Sequence, residues 1–248
     1  MKATLFIVIA NFMLSTAFGV ENQENTVDPK FKKFISKYAE TPYAPVPEKM
    51  LLNMDPEPDL SSGFTELYNR ENLDNWIQRG ADNMYEAKGE VIVGTYRPPN
   101  ANSYLCTSRD DFQDFIFTLE VKWLEDGNSG IQFRSKVQGK DKVVGPQIEL
   151  EEAKRKRGWS GGIYAQGIGG FIYPLWFKSH EKARGAINYS EWNRITLFAK
   201  GETVKTWVNG IPAAHYTNKD FTKGYFALQL HKGKTGLIHF RNIKVKEL

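Results

Sequence analysis

Polar side chains that could bind and polarise a hydroxylated ligand recur two residues apart in three segments of the chain. The pairs are Gln132 with Arg134, Gln147 with Glu149, and Gln229 with His231. Residues two apart in a β-strand point to the same face of a sheet. The residues between and beside them are apolar, so the opposite face would be hydrophobic. We therefore expect the guanidinium, the carboxylate and the imidazole to surround one cavity.

Short β-strands are the elements that would position these pairs. Residues 115–123 alternate between apolar and other side chains with a period of two. Asn209 and Gly210, between two apolar segments, are typical of a type I′ hairpin turn. No segment after residue 63 has the pattern of a long amphipathic helix. The sequence predicts an all-β fold, an antiparallel β-sandwich or jelly roll, preceded by a short N-terminal helix.

The first 62 residues differ in character from the rest. Residues 1–19 combine a lysine, an apolar run and small residues near the end, which indicates a secretory signal peptide. We therefore predict a secreted or periplasmic protein. In residues 20–62, apolar residues recur at helical spacing from Phe31 to Tyr38, and five prolines follow. We expect a leader with a short helix and a stiff proline-rich linker, either docked on the main domain or loosely attached.

Composition restricts the class of partner. The formal net charge is only +4 over 248 residues, which gives no basis for binding nucleic acid. After signal cleavage, we expect no association with a membrane. The single cysteine, Cys106, can form no internal disulfide, and we interpret it as a buried packing residue. No histidine pair has metal-ligand spacing and no acidic loop indicates Ca²⁺, so we predict neither a metal nor a cofactor.

Two loops lie between the second polar pair and the third. Residues 151–157 are a run of mixed charge, most simply a solvated hairpin tip. Residues 158–184 are rich in glycine and in aromatic residues, including Trp159 and Tyr164. Aromatic rings of this kind can stack against the apolar C–H face of a sugar. The same rings could instead form a minor core that caps one end of the sandwich.

Several short motifs occur in the order found in one bacterial family. They include GFTELYN (63–69), GNSGIQFR (127–134), GPQIE (145–149), WVNG (207–210) and LQLH (228–231). On these motifs the chain resembles the 3-keto-disaccharide hydrolase family, whose members have a concanavalin A-like jelly roll. The resemblance covers residues 63–248, which we take as one domain, and leaves the leader outside it.

The resemblance implies an enzyme that cleaves glycosides already oxidised to a ketone at sugar carbon 3. A ketone there acidifies the proton on C2, so that a base can form an enolate. The enolate expels the glycosidic oxygen from C1, and water can then add. The substrate would be a glycoside or oligosaccharide, and its ketone would come from a separate sugar 3-dehydrogenase. Whether the reaction ends as a lyase or as a hydrolase is left open.

The polar face can be interpreted in terms of this reaction. Glu149 is the expected base, and Arg134 with Gln132 would stabilise the enolate oxygen. His231 would protonate the leaving oxygen or exchange roles with Glu149. The residues expected to bind the rings and hydroxyls of the substrate are Gln132, Gln147, Trp159, Tyr164, Asn193 and Gln229.

Other functions remain open at this point. A retaining glycosidase could use Glu149 with Glu151, because carboxylates two apart on a strand lie ~7 Å apart at the backbone, within reach of the ~5.5 Å that retention requires. Against this, we expect Glu151 to point into solvent. A lectin-like carbohydrate-binding module without turnover is the second alternative, since the fold alone does not decide. Glu149 could also be only a structural salt-bridge partner of Arg134.

Overall fold

The computed structural model describes residues 26–81, 84–96, 101–233 and 236–248. The predicted signal peptide, residues 1–19, lies outside the described residues. In the described part, fifteen strands form two antiparallel sheets that stack as a sandwich, which confirms the predicted all-β jelly-roll class.

The strands were assigned in chain order. They are β1 (Thr65–Glu66), β2 (Trp76–Gly80), β3 (Tyr85–Lys88), β4 (Val91–Thr95), β5 (Ser103–Thr107), β6 (Phe115–Glu125), β7 (Ser129–Gln138), β8 (Lys142–Leu150), β9 (Ile163–Gln166), β10 (Phe171–Tyr173), β11 (Asn193–Lys200), β12 (Thr203–Val208), β13 (Ile211–Thr217), β14 (Tyr225–Leu230) and β15 (Leu237–Glu247). One sheet has the order β13-β12-β11-β6-β15-β4-β3, with β1 also paired to β15, and the other has the order β10-β9-β8-β7-β14-β5-β2.

Helical structure in the described residues is short. The two α-helices are α1 (Lys32–Tyr38) and α2 (Glu181–Arg184), and single 3-10 turns occur at Pro29–Phe31, Pro47–Lys49, Ala153–Arg155 and Lys178–His180. No helix in the part of the chain described here is long and apolar enough to cross a membrane.

The hydrophobic core lies between the two sheets. Alternate residues of β6, such as Phe117 and Leu119, are fully buried there, as the period-two pattern predicted. The ring of Phe226 from β14 stacks on Phe117 with centroids 4.3 Å apart, so the core joins the two sheets directly. Cys106 is buried as predicted, and burial raises the pKa of its thiol to about 12, which makes it unreactive at neutral pH.

Three neighbouring strands of the seven-stranded sheet, β7, β8 and β14, carry the polar pairs. Their apolar residues Ile131, Ile148 and Leu228 are buried in the core. Because side chains alternate across a strand, Gln147 and Gln229 lie on the outer face of the sheet. The sandwich therefore has a polar outer face along the centre of one sheet.

The leader packs against the sandwich. Phe31 is only 3% exposed, and its ring lies 5.2 Å from that of Trp159. The proline-containing segment is also held, because Asn53 Nδ2 donates to the Thr206 carbonyl and Trp207 Nε1 donates to the Asp55 carbonyl, both at 2.9 Å. Of the two possibilities that the sequence left open, the leader takes the docked one, and its proline-containing segment lies on the eight-stranded sheet.

Candidate active site

A cavity of about 530 Å³, called here the main cavity, lies on the outer face of the seven-stranded sheet. Five of the residues predicted from the sequence line it, namely Gln147, Glu149, Tyr164, Gln229 and His231. Residues that the sequence did not indicate complete the wall, among them Lys37, Tyr38, Asn128, Arg155, Arg157 and Gln166. The polar strands therefore form one side of a space large enough for a sugar ring.

Glu149 is the carboxylate at the centre of this wall. Only 6% of the residue is exposed, and both of its carboxylate oxygens accept hydrogen bonds from amides. Asn128 Nδ2 donates to Oε1 at 2.7 Å, and Gln147 Nε2 donates to Oε2 at 3.2 Å. Burial raises the pKa of Glu149 to about 7; the Asn128 hydrogen bond opposes the shift, and the negative charge of Glu151 adds to it. The group can therefore accept or release a proton near neutral pH.

A glycine makes room for this arrangement. In the sheet register, Gly130 lies between Glu149 on β8 and Gln229 on β14. A Cβ on Gly130 would lie 2.3 Å from Cδ of Gln147, which is closer than any real contact. Gly130 thus allows the Gln147 side chain to lie across the strand and donate to Glu149. Gln132, which lies opposite Gln147 in the register of β7 with β8, donates its Nε2 to Oε1 of Gln147. This hydrogen bond fixes the orientation of the Gln147 amide.

The raised pKa of Glu149 predicts an effect on stability. The folded state keeps the proton up to about pH 7, whereas the unfolded chain loses it near the ordinary glutamate pKa of 4.5. Because the folded state binds more protons between these values, the free energy of unfolding falls as the pH rises through this window, by ~3 kcal/mol in all. We expect Glu149→Gln to match the wild type near pH 4.5 and to exceed it by ~3 kcal/mol at pH 8, as measured by urea unfolding.

Glu120→Gln, on strand β6 of the other sheet, is the control for this measurement. Glu120 is partly exposed and pairs with Arg241 at 2.6 Å. The same chemical change there, outside the main cavity, measures the effect of losing a partly exposed carboxylate. A constant difference between Glu149→Gln and the wild type from pH 4.5 to pH 8 would contradict the raised pKa.

The charged segment 151–157 is solvated only in its middle, where residues 154–156 are exposed, whereas Glu151 and Glu152 are buried. Glu151 is fully buried, which also corrects the expectation that it points into solvent. Arg157 donates through Nε to Glu151 Oε1 at 2.7 Å and through Nη2 to the same oxygen, and the Trp159 backbone N–H donates to Oε2 at 3.2 Å. The result is a fixed guanidinium on the cavity wall.

Trp159 serves as the platform for that guanidinium. The ring is fully buried and does not line the main cavity, which corrects its predicted role in stacking on substrate. The Arg157 guanidinium carbon lies 4.4 Å from the centroid of the Trp159 ring. A cation held by both an aromatic face and a carboxylate loses little further freedom when a ligand binds.

His231 lies immediately after β14 and is held as a neutral base. Its Nδ1 is 2.9 Å from the Lys232 carbonyl, which can only accept, so Nδ1 carries the proton and Nε2 is left as an acceptor. Burial lowers the pKa of His231; the hydrogen bond to Lys232 opposes the shift, and the positive charge of Arg155 adds to it. The imidazole is therefore neutral at pH 7.

Gln229 offers an acceptor that the described protein does not satisfy. Its Nε2 donates to Oε1 of Gln166 at 3.0 Å. Its own Oε1 is buried and has no hydrogen-bond partner within the described ranges. A buried acceptor without a donor is costly, and on a cavity wall it is suited to a ligand hydroxyl.

Arg134 does not reach the main cavity, which corrects its predicted place beside Glu149 and His231. The register of β7 against β8 shifts between Gln132 and Lys136, and Arg134 itself has φ of +47°. This bulge turns the side chain off the polar face. Arg134 is fully buried, where it donates to the carbonyls of Gln113 (2.7 Å, from Nε) and Gly201 (2.8 Å). It is also not the partner of Glu149, so that structural alternative is wrong.

Two further predicted residues lie outside the main cavity. Asn193 begins β11 in the opposite sheet, where its Nδ2 donates to the Asn188 carbonyl at 2.7 Å and to the Glu191 carbonyl at 2.9 Å. It therefore fixes a turn. Gln132 does not line the cavity and acts only through Gln147.

Several residues of the cavity wall were not predicted from the sequence, each for a different reason. Asn128 stands within the motif of residues 127–134, but its place in a turn before the strand gave no period-two signal. Arg155 and Arg157 belong to a charge run of the kind that is usually solvated. Lys37 and Tyr38 come from a helix more than a hundred residues before Glu149, and only tertiary packing brings them there. No group of three metal-ligating side chains is found among the residues described.

Comparison with known proteins gives a family and a fold. The family model described as the 3-keto-alpha-glucoside-1,2-lyase-like domain matches residues 63–246. No curated protein matches the chain. A candidate glycosyl hydrolase from Parabacteroides distasonis ATCC 8503 is similar in structure, with 19% identity, a TM-score of 0.55, and coverage of 78% of this chain and 100% of that one.

Two other solved structures have similar folds. A Bacillus subtilis protein of unknown function with a galectin-like fold has 11% identity, a TM-score of 0.53, and coverage of 80% and 97%. The exoplasmic domain of VIP36, in its Ca²⁺/Man-bound form, has 9% identity, a TM-score of 0.50, and coverage of 70% and 83%. At these identities the similarity shows the fold alone.

Proposed function

The chain belongs to the family of 3-keto-alpha-glucoside-1,2-lyase-like domains, and from that premise we propose that it is a carbohydrate-active enzyme that cleaves 3-keto-glycosides in the main cavity. The proposal rests on the environment of Glu149. It is a buried carboxylate with a pKa of about 7 on a polar wall. A base of that strength suits removal of a proton that a neighbouring ketone has acidified.

In the first step, Glu149 takes the proton from C2 of the sugar. The C2–H bond breaks, and its electron pair forms the enolate of the C3 ketone. Asn128 and Gln147 hold the carboxylate by their amide N–H groups, which fixes the orientation of the base. The Asn128 hydrogen bond favours the ionised form and so opposes the rise in pKa that burial causes.

The negative charge that develops on the C3 oxygen needs a donor. Arg134, proposed from the sequence, lies elsewhere, and we assign this role to Arg157. Its guanidinium lines the main cavity and is held by Glu151 and the face of Trp159. A donor fixed before the reaction needs no reorganisation when the charge forms, and such a group contributes about 3 kcal/mol to lowering the barrier.

In the second step, the enolate collapses and the C1–O bond breaks. Protonated Glu149 returns its proton to the departing oxygen, which leaves as an alcohol. Water then adds to C1 of the unsaturated ketone, and neutral His231 accepts a proton from that water at Nε2. The imidazolium passes this proton to C2 of the enolate that the addition forms, which completes the 3-keto-sugar and returns His231 to its neutral form. The sum is a 3-keto-glycoside plus water giving a 3-keto-sugar plus an alcohol. His231 thus acts on water, and not on the leaving oxygen as the sequence suggested.

The proposal extends to the setting of the reaction. We place the enzyme outside the cytoplasm, secreted or periplasmic, on the basis of the signal-like sequence of residues 1–19. Its substrate already carries a ketone, so an oxidation at C3 must precede it. A sugar 3-dehydrogenase is the class of enzyme that supplies this group.

A paired assay tests the function. We expect the wild-type protein to release the alcohol from a 3-keto-glucoside and to leave the unoxidised glucoside intact, with product followed by chromatography. Only the ketone acidifies C2, so the two substrates should differ by at least ~100-fold in rate. Cleavage of both substrates would contradict the proposal.

The same assay separates the alternatives. A retaining glycosidase would cleave the parent glucoside, but the second carboxylate it needs, Glu151, is committed to Arg157 and Trp159. A lectin-like module would bind both sugars and cleave neither. Tight binding without turnover of any 3-keto-glycoside would favour that function over the enzyme.

A further inference from the structure

Helix α1 lies outside residues 63–246 of the family domain, yet it is anchored at the main cavity. The Asp28 backbone N–H donates to the Trp176 carbonyl at 2.8 Å, and the Asp28 carboxylate pairs with Arg184 at 3.0 Å. The ring of Phe34 meets that of Trp159 edge-on with centroids 5.1 Å apart. The helix is thus fixed on the same tryptophan that supports Arg157.

The glycine-rich loop of the family domain is shaped to receive the leader. Gly170 has φ of +84°, which favours glycine, and a Cβ there would lie 2.6 Å from Cγ2 of Thr41. Gly167 and Gly169, in the same loop, line the main cavity. Contact with the leader therefore sets the position of a loop that forms the cavity wall.

Two helix residues form part of that wall. Tyr38 is buried, and its ring lies 5.5 Å from that of Phe171. Burial raises the pKa of its phenol, and the positive charge of Arg157 nearby opposes the rise. Lys37 is exposed to the cavity, and it has no carboxylate partner within 4.0 Å among the described residues. By contrast, Arg155 pairs with Glu152 and Arg157 pairs with Glu151. Among the described residues, Lys37 is thus a cation of the cavity wall whose ammonium no carboxylate holds, and it can donate to a ligand.

Two cavities share part of their walls near Glu149. A second cavity of about 420 Å³ adjoins the main one and shares Asn128, Arg155 and His231 with it. Glu149 lies at this junction, since it accepts from Asn128 at 2.7 Å. Lys37 and Tyr38 line only the main cavity. With C2 at Glu149, one part of the substrate lies on the helix side and the other part extends into the second cavity.

We propose that helix α1 is a specificity element for the ketone-bearing sugar ring, with Lys37 and Tyr38 binding an oxygen-bearing substituent on C5. The proposal rests on the proposed function. It assigns the ketone-bearing ring to the main cavity and the leaving group to the second. Within the proposed substrate class, these two residues would account for a preference for a 3-keto-hexoside, which has an oxygen-bearing carbon on C5, over a 3-keto-pentoside, which has none.

Substrate ratios test this assignment. Lys37→Met should lower the ratio of kcat/KM for a 3-keto-hexoside to that for a 3-keto-pentoside with the same leaving group by about tenfold, and Tyr38→Phe by about fivefold. Neither variant should change the ratio between two leaving groups on the same 3-keto-hexoside. Thermal unfolding of each variant confirms that it is folded at the assay temperature.

Matched controls come from the same segment. Lys33 stands one turn earlier on α1, with its ammonium 5.4 Å from the Phe34 centroid, as Lys37 is at 5.9 Å, but it does not line the cavity. Tyr43 bonds to Asp220 away from the cavity. Lys33→Met and Tyr43→Phe should leave both ratios at their wild-type values.

The outcomes separate two failures. If the wild type cleaves 3-keto-glycosides but Lys37→Met and Tyr38→Phe behave like the controls, or shift the leaving-group ratio as well, the helix assignment is overturned and the proposed function stands. If the wild type cleaves no 3-keto-glycoside, the proposed function fails and the assignment fails with it.

Discussion

Replacing Glu149 by Gln should lower turnover of a 3-keto-glycoside by at least ~100-fold, because the amide cannot accept the C2 proton. The change preserves the size and shape of the side chain on β8. Binding of the parent glycoside should change little, since Gln147, Gln229 and Arg157 remain in place on the cavity wall. The loss should appear in kcat and in kcat/KM to a similar degree, measured by steady-state release of the alcohol.

The pH profile of the wild type gives an independent measure of the same group. Glu149 acts as the base in its ionised form, so kcat/KM should rise with pH and level off above its pKa of about 7. Glu120→Gln, the control on β6, should keep both the rate and the profile. A folded Glu149→Gln protein with wild-type turnover would remove Glu149 as the base and leave the proposed mechanism without its first step.

Arg157→Met has the second largest expected effect, and it acts on both stability and rate. Glu151 is fully buried and takes two of its hydrogen bonds from Arg157. Removing the guanidinium leaves a buried carboxylate with only the Trp159 N–H, which costs about 3–5 kcal/mol in the free energy of unfolding. The same change removes the donor to the enolate oxygen, which costs ~100-fold in kcat.

A double variant separates the two effects. Glu151→Gln in the Arg157→Met protein removes the unpaired charge and should restore the stability to within about 1 kcal/mol of the wild type. Its kcat should stay ~100-fold low, because the enolate donor is still missing. Urea unfolding and steady-state kinetics measure the two quantities. A stable double variant with wild-type kcat would show that Arg157 has only a structural role.

The three polar pairs show what the alternation of side chains along a strand can and cannot predict about the site. Gln147 with Glu149 and Gln229 with His231 were predicted to share a face because side chains alternate along a strand, and both pairs line the main cavity. Gln132 with Arg134 obeyed the same pattern in the sequence, yet the register shift on β7 separates them. A bulge depends on the neighbouring strands and on what the displaced side chain can reach, here the carbonyls of Gln113 and Gly201.

The sequence by itself determined the sandwich, the family and the carboxylate at the centre of the site, because strand periodicity and short ordered motifs are properties of neighbouring residues. Only the tertiary structure decided which cations face Glu149. The pairing of Glu151 with Arg157 and the docking of Tyr38 beside them depend on contacts between distant segments. Such contacts form where the free energy gained by burial exceeds the entropy cost of ordering the chain. The spacing of residues along one segment does not predict which distant segments meet this condition.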